Sequence, residues 1–396
     1  MIQKNNPAIL SKYGNAILFI AWFATTLIYL NIYGIVTSLE AGKYIEEAER
    51  FINNGAFSTP RFWFYSITLF FMIISLKLKL GMVGAFVMQA LLNLGAYLLF
   101  YKALKKIFTF PIIPILIIIY LLAFGFYQNW IVFLYTESAF FSLILILFSI
   151  LILYPPANPK NIFRLILVFI LLLLSRPLGI LFAGSLYCYL LFTANRKWKW
   201  ILGAGSILLM VFGYFTINAV FGSLKDWTIT QAFEQESIIC DMPAMPPYQQ
   251  LTLTSTGSPV YHLLYYLTNN FSHFLHFAGV KLQYFFLMTR PYYSNLHNYI
   301  LLFNVIPLYI LSLVGLFTKR IKFPAGISTF LLCSIILFAL TIVFQCDDYH
   351  NRFALSIFPF FVILATKTAE QLVSYFFQNY HSTSRIDIEK PISESE

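Results

Sequence analysis

The chain is poor in charge. Only 11% of its 396 residues are Asp, Glu, Lys or Arg, and acidic residues number just 16. Soluble domains carry about 25% charged residues, so a soluble fold of this size is excluded. Low-complexity disorder fails as well, because 59% of the chain is hydrophobic. Cysteine is scarce at four residues, too few for a disulfide framework. No glycine-rich phosphate loop, zinc-spaced Cys/His set or RNA-binding signature occurs. The formal charge of +10 therefore reads as anchoring on one membrane side, not as a nucleic-acid surface.

What is present is apolar and aromatic: 43 Phe and 26 Tyr, in long runs. Runs of about 17 to 25 apolar residues are membrane spans, because unpaired backbone cannot exist in hydrocarbon. The first run follows Lys4 and Lys12 without a small-residue cleavage site, so it reads as a span and not a signal peptide. Basic clusters at Lys102/Lys105/Lys106, Arg196/Lys197/Lys199 and Lys319/Arg320/Lys322 set orientation, since short basic loops stay in the cytoplasm. The predicted spans are Gly14–Val36, Met82–Tyr101, Phe110–Phe126, Ser138–Tyr154, Phe163–Ser175, Leu178–Phe192, Trp200–Ile217, Tyr299–Phe317, Ala325–Phe344 and Phe353–Ala369. This is an all-α polytopic protein of about ten crossings, with both termini cytoplasmic, in what reads as a bacterial inner membrane. Phe62–Leu76 would invert the later loops if it crossed, so it is expected to be half-inserted or re-entrant on the outer side.

Residues 1–378 read as a single membrane domain, with outer loops at 37–81 and 218–298, and residues 379–396 as a polar cytoplasmic tail without fixed structure. In the first loop, the stretch from Leu39 to Ile52 has helical period with Tyr44, Ala48, Phe51 and Ile52 on one face, and Asn53-Asn54-Gly55 ends it. The second carries Asp241, a turn with Pro243, Pro246 and Pro247, and a helix pair around residues 262–287. Cys188 and Cys333 lie in apolar runs and read as inert thiols. Cys240 and Cys346 fall in polar segments on the same side, where a disulfide between them is one option. No internal repeat is visible, which weighs against an inverted-repeat transporter.

Ionisable groups at a bilayer face are costly to bury and hence candidates for function. Glu40, just past the first span, is placed to act as a general base; the alternative is a solvated loop carboxylate beside Glu46, Glu47 and Glu49. Glu137 opens a span, where it either complements the helix dipole or joins the same outer face. Arg176, in Ser175-Arg176-Pro177-Leu178-Gly179, needs an anionic partner: a carboxylate such as Glu137 or a phosphate. Arg290 and Arg352 also stand where spans meet the outer face and suit a lipid phosphate. Asp347, Asp348 and His350 crowd the last outer turn. A divalent metal there is left open, though the spacing matches no template and no cofactor is expected.

In order along the chain, these motifs resemble the GT-C superfamily of membrane glycosyltransferases, whose relatives include protein O-mannosyltransferases and lipid A aminoarabinose transferases. They are Glu40 leading through Tyr44 and Ala48 to Gly55; Arg61-Phe62-Trp63-Phe64-Tyr65; Gln89 in a span; Thr136-Glu137-Ser138; Arg176-Pro177-Leu178-Gly179; and Arg352-Phe353 leading to Pro359. The chain departs in having Glu where many relatives have Asp, and in lacking a His-Pro-Pro turn near Arg61. The resemblance implies a GT-C-like fold and transfer of a sugar from a polyprenyl-phosphate donor to a lipid, glycan or protein acceptor at the outer face. Glu40 would be the base, inverting the anomeric carbon. Arg61, Glu137, Arg176, Arg290, Asp347, Asp348, His350 and Arg352 would bind substrate or lipid phosphate. The alternatives are a transporter or flippase of a lipid-linked saccharide, for which Gln89 and Asn93 would be the main path-lining groups, and a non-catalytic scaffold or saccharide polymerase.

Overall fold

A computed structural model describes residues 6–223, 228–240, 242–243, 251–254, 256–318 and 322–386. Asp241, Pro246, Pro247, Lys319, Arg320 and the end of the polar tail lie outside the described residues. Within them the helices are α1 (Asn6–Tyr33), α2 (Glu40–Asn54), α3 (Ser66–Lys77), α4 (Gly81–Ile107), α5 (Ile113–Ala123), α6 (Gly125–Gln128), α7 (Glu137–Leu153), α8 (Pro159–Leu173), α9 (Leu181–Thr193), α10 (Arg196–Ser223), α11 (Gln231–Glu234), α12 (Pro259–Asn269), α13 (Phe271–Leu287), α14 (Asn295–Phe317), α15 (Ile327–Phe344) and α16 (Arg352–Ile386). The two described strands are short, β1 (Ser237–Ile239) and β2 (Met242–Pro243), paired antiparallel.

Among the described residues, six stretches are long and apolar enough to cross a membrane: Tyr13–Tyr33, Gly81–Ile107, Arg196–Ala219, Asn295–Phe317, Ile327–Phe344 and Arg352–Tyr375. Their outer surfaces are those of a lipid-facing protein. On α10, Leu208 is 71% and Phe212 69% exposed, an arrangement that water would penalise by the hydrophobic effect. By contrast α1 buries a single stripe, Leu18, Trp22 and Thr26, at the four-residue spacing of one helix face.

The sequence-predicted span Phe110–Phe126 is not one straight helix. It bends by 74° between α5 and the segment Gly125–Val132. Phe124, in extended conformation at ψ 91°, ends the helical path, and a 3-10 turn, Asn129–Val132, follows α6. The predicted spans Ser138–Tyr154, Phe163–Ser175 and Leu178–Phe192 correspond to shorter apolar helices α7, α8 and α9. α3 has 12 residues, about 18 Å of helix at 1.5 Å per residue.

The chain divides into two compact units. The first comprises Met1–Val168, Ile306–Phe323 and Pro359–Glu396. Its centre is α7, buried from Glu137 to Ile152 and packed chiefly on α4. Asn93 on α4 ties this unit together: its Oδ1 accepts from Trp22 Nε1 at 2.9 Å and Gln128 Nε2 at 3.0 Å, and its Nδ2 donates to Ser142 at 3.2 Å. At one end of α4, Glu370 accepts the backbone N–H groups of Thr109 (2.6 Å) and Phe110 (3.1 Å) and pairs with Lys367 at 2.6 Å.

The second unit comprises Phe169–Val305 and Pro324–Phe358. Its main helix pair is α9 and α15, joined by a Ser334–Ser185 hydroxyl bond of 2.9 Å and by Phe182 between Phe330 and Phe338. The helix pair expected near residues 262–287 is α12 and α13. A small aromatic core of Phe233, Tyr266 and Phe277 with Ile238 and Ile239 holds it against β1.

Candidate active site

In the first unit, Glu40 is the opening residue of α2, so its carboxylate stands at the positive end of a 15-residue helix. Helical spacing brings Lys43 and Tyr44 back over it. Tyr44 Oη donates to Oε1 at 3.1 Å, and Lys43 Nζ does so at 2.9 Å. The glutamate side chain is 24% exposed, while Tyr44 is buried. α2 ends as expected: Gly55 adopts φ 73°, and its N–H caps the carbonyl of Phe51 at 2.9 Å. Its buried face is Ala41, Tyr44, Glu47 and Ala48. Glu47 tolerates burial because it accepts the Ser58 N–H at 2.8 Å.

Tyr44 also meets Tyr65, with ring centroids 5.7 Å apart. Tyr65 closes the 3-10 helix Pro60–Tyr65 that carries Arg61. Arg61 is exposed, its guanidinium 5.3 Å from the Phe62 ring centre. Glu40, Tyr44 and Tyr65 thus form one chain of contacts, and Arg61 lies in the 3-10 helix that Tyr65 closes.

Glu137 belongs to the same unit. A short parallel bridge pairs Val36 with Phe133, through Val36 N to Val132 O (2.9 Å) and Leu134 N to Val36 O (3.1 Å). Tyr135 Oη adds a bond to Ser38 O at 3.3 Å. The segment entering α2 therefore runs beside the segment entering α7. Glu137 is fully buried in the first turn of α7, and Thr136 makes no capping bond through its side chain. Gln89 supports this bridge from below, with Nε2 donating to Ile131 O (3.1 Å) and Phe133 O (2.8 Å). Both Gln89 and Asn93 are thus internal hydrogen-bond ties of this unit. A shallow hollow of about 220 Å³ lined by Glu49, Ile52, Asn53, Leu76 and Lys77 lies toward the opposite end of α2 from Glu40.

The remaining predicted residues are in the second unit. Arg176 is extended (φ −159°), as a residue before proline must be, and is largely buried. Gly179 closes that turn against α8, where a Cβ would come within 2.7 Å of Leu172 O. Arg290 is wholly buried. Its Nη2 meets Asp347 Oδ2 at 2.5 Å, and its Nη1 donates to the carbonyls of Tyr284 (3.0 Å) and Thr289 (3.1 Å). The guanidinium thus ties Asp347 to the end of α13 inside the second unit.

Asp347 likewise spends Oδ1 on the Asp348 N–H at 2.7 Å. Burial pushes its carboxyl up to about 6, although Arg290 pulls the other way. Asp348 forms an ion pair with Arg352, Oδ1 to Nε 3.0 Å, and accepts the His350 N–H at 3.2 Å, and His350 is exposed. Among the described residues no group of three or more His, Cys, Asp or Glu is arranged to hold a metal ion. The turn is a knot of internal pairs: its side chains fasten the loop first and face solvent second.

Sequence reasoning missed two features. One is the Tyr44 and Lys43 contact to Glu40, whose signal was the three- and four-residue spacing on a helix beginning at Glu40. The other is a buried relay in which His273 Nδ1 meets Tyr266 Oη at 2.6 Å and Nε2 meets Glu236 Oε1 at 3.1 Å. Nothing local announces that relay, because its members come from a turn and two helices. No family model matches the chain, and neither a curated protein nor a solved structure does.

Proposed function

We propose that this chain is a membrane glycosyltransferase of GT-C-like architecture, moving a sugar from a polyprenyl-phosphate donor to a lipid, glycan or protein acceptor at the outer membrane face. The observation that carries the reading is Glu40: a partly exposed carboxylate directly after the first span, held by Tyr44 and Lys43. Such a group is placed to take a proton from an acceptor hydroxyl or amine. The acceptor then displaces the sugar from its phosphate with inversion, the glycosidic C–O bond to phosphate breaking as the new bond forms. Arg61, in the 3-10 helix that ends at Tyr65, is the proposed partner of the donor phosphate. Arg176 and Arg352 in the second unit are proposed contributors to lipid-phosphate recognition.

The proposal includes about ten crossings, with α7, α8, α9 and the bent α5–α6 segment crossing alongside the six longer stretches, and cytoplasmic termini in a bacterial inner membrane. α2, α12 and α13 would lie along the outer face. The test uses the full chain in proteoliposomes with radiolabelled polyprenyl-phosphate hexose and pentose donors and a membrane-lipid extract as acceptor. Cleavage of donor by wild type and its loss in Glu40→Gln are expected. Passage of intact donor across the bilayer without cleavage would support a flippase instead, and full product from Glu40→Gln would remove Glu40 as base.

A further inference from the structure

The four cysteines fall into two pairs of opposite state. Cys240 and Cys346, 106 residues apart, form a disulfide with Cα atoms 5.0 Å apart. Cys188 and Cys333 stay as free thiols in α9 and α15, within hydrogen-bonding contact of each other. The distinction is chemical. Disulfide exchange requires a thiolate and access to an oxidant, and an apolar helix pair offers neither. Cys240 is exposed and Cys346 half-buried, at the polar end of the second unit.

That end is closely fastened. Asp347 pairs with Ile239 in a parallel bridge, through Asp347 N to Ile238 O (2.7 Å) and Cys240 N to Asp347 O (3.0 Å). Asn351 Nδ2 donates to Met288 O at 2.7 Å, and Tyr292 stacks on Tyr349 with centroids 4.4 Å apart. The loop follows α15 and leads directly into α16, so it lies at one membrane face. The cluster Lys319, Arg320 and Lys322 precedes the other end of α15. Disulfides persist in oxidising compartments, and basic loops stay in the cytoplasm. The two signals therefore assign opposite faces to opposite ends of one helix, and they agree.

We propose that the end of the second unit bearing Cys240–Cys346 faces an oxidising compartment, where a thiol–disulfide oxidoreductase closes the disulfide and so locks the loop over residues 345–351 onto β1. In the exchange, one protein thiolate attacks the oxidant's disulfide and releases one of its thiols. The second cysteine then attacks the mixed disulfide and releases the other. Two protein thiols are oxidised, one oxidant disulfide is reduced to two thiols, and the protons pass to the departing sulfurs. The proposal does not depend on sugar transfer.

The test is labelling of the full-length protein in intact cells by a membrane-impermeant polyethylene-glycol maleimide, with or without prior treatment by a membrane-impermeant phosphine. Expected are no addition without reduction and two additions after it, mapped by mass spectrometry to Cys240 and Cys346. Labelling without reduction, or only after the bilayer is permeabilised, overturns the assignment. In purified protein, reduction is expected to speed hydrogen exchange at the Cys240 and Asp347 amides about ten-fold or more. Unchanged exchange overturns the locking role.

Discussion

Arg290 and Asp347 stand 57 positions apart in sequence, yet they meet at 2.5 Å with both side chains closed to solvent. Removing one member of a buried ion pair leaves an uncompensated charge, at a cost of about 3–5 kcal/mol. Asp347→Asn and Arg290→Met are each expected to lower the thermal midpoint in detergent markedly. The double variant Arg290→Met/Asp347→Leu should lose less than the two singles summed. Additive losses would show that the pair is not coupled.

The second clamp is in the other unit. Glu370 holds the Thr109 and Phe110 amides and the buried Lys367, whose ammonium also donates to Ile107 O at 2.8 Å. Glu370→Ala strands that lysine, and a loss of about 3 kcal/mol is expected. Adding Lys367→Met should recover part of it, read again as thermal midpoints.

Among the described residues no carboxylate pairs with Lys281. Its ammonium lies 4.3 Å from the Phe277 ring centre and 4.9 Å from that of Phe233, and burial pulls it down to about 7 from 10.5. Between those values the unfolded chain binds more protons than the folded one, so this group makes stability rise with pH from about 7 toward 10.5. Below about 7 its cost is complete, on the order of 5 kcal/mol. Lys281→Met is expected to be more stable at pH 7 and to flatten that slope. An identical pH profile in thermal melts would contradict the burial of a lysine cation.

Tyr44→Phe keeps the buried ring but deletes the bond to Glu40. A stability loss of only about 1 kcal/mol is expected, with donor cleavage falling below wild type and above Glu40→Gln. Cleavage equal to wild type would separate Tyr44 from the chemistry.

Gly179→Ala places a methyl against the Leu172 carbonyl, a backbone atom that cannot swing aside. Displacement of the turn is expected to cost about 1–3 kcal/mol. A melt unchanged from wild type would mean the turn has room that the geometry denies it.

Much of the helical plan was legible because burial in lipid forces long apolar runs. The Gly55 cap and the break before Pro177 were legible because glycine and proline act on their own backbone. The bend at Phe124 was not, since Phe110–Phe126 is apolar throughout and hydropathy does not register direction. At the candidate site, the acid after the first span was visible from position alone. The neighbourhood of Glu137 was not, because it depends on a bridge between Val36 and Phe133, 97 residues apart.

By itself the sequence determined a membrane-embedded, helical chain, since long apolar side-chain runs favour lipid and a helix satisfies its own backbone there. It also determined where charge is concentrated. Only the tertiary structure decided which of those charges remain available. Arg290 and Asp347 cancel each other inside the second unit, while Glu40 keeps access to solvent at a helix start. The physical reason is that a charge's worth depends on its partner and its exposure, and both are set by contacts distant in sequence.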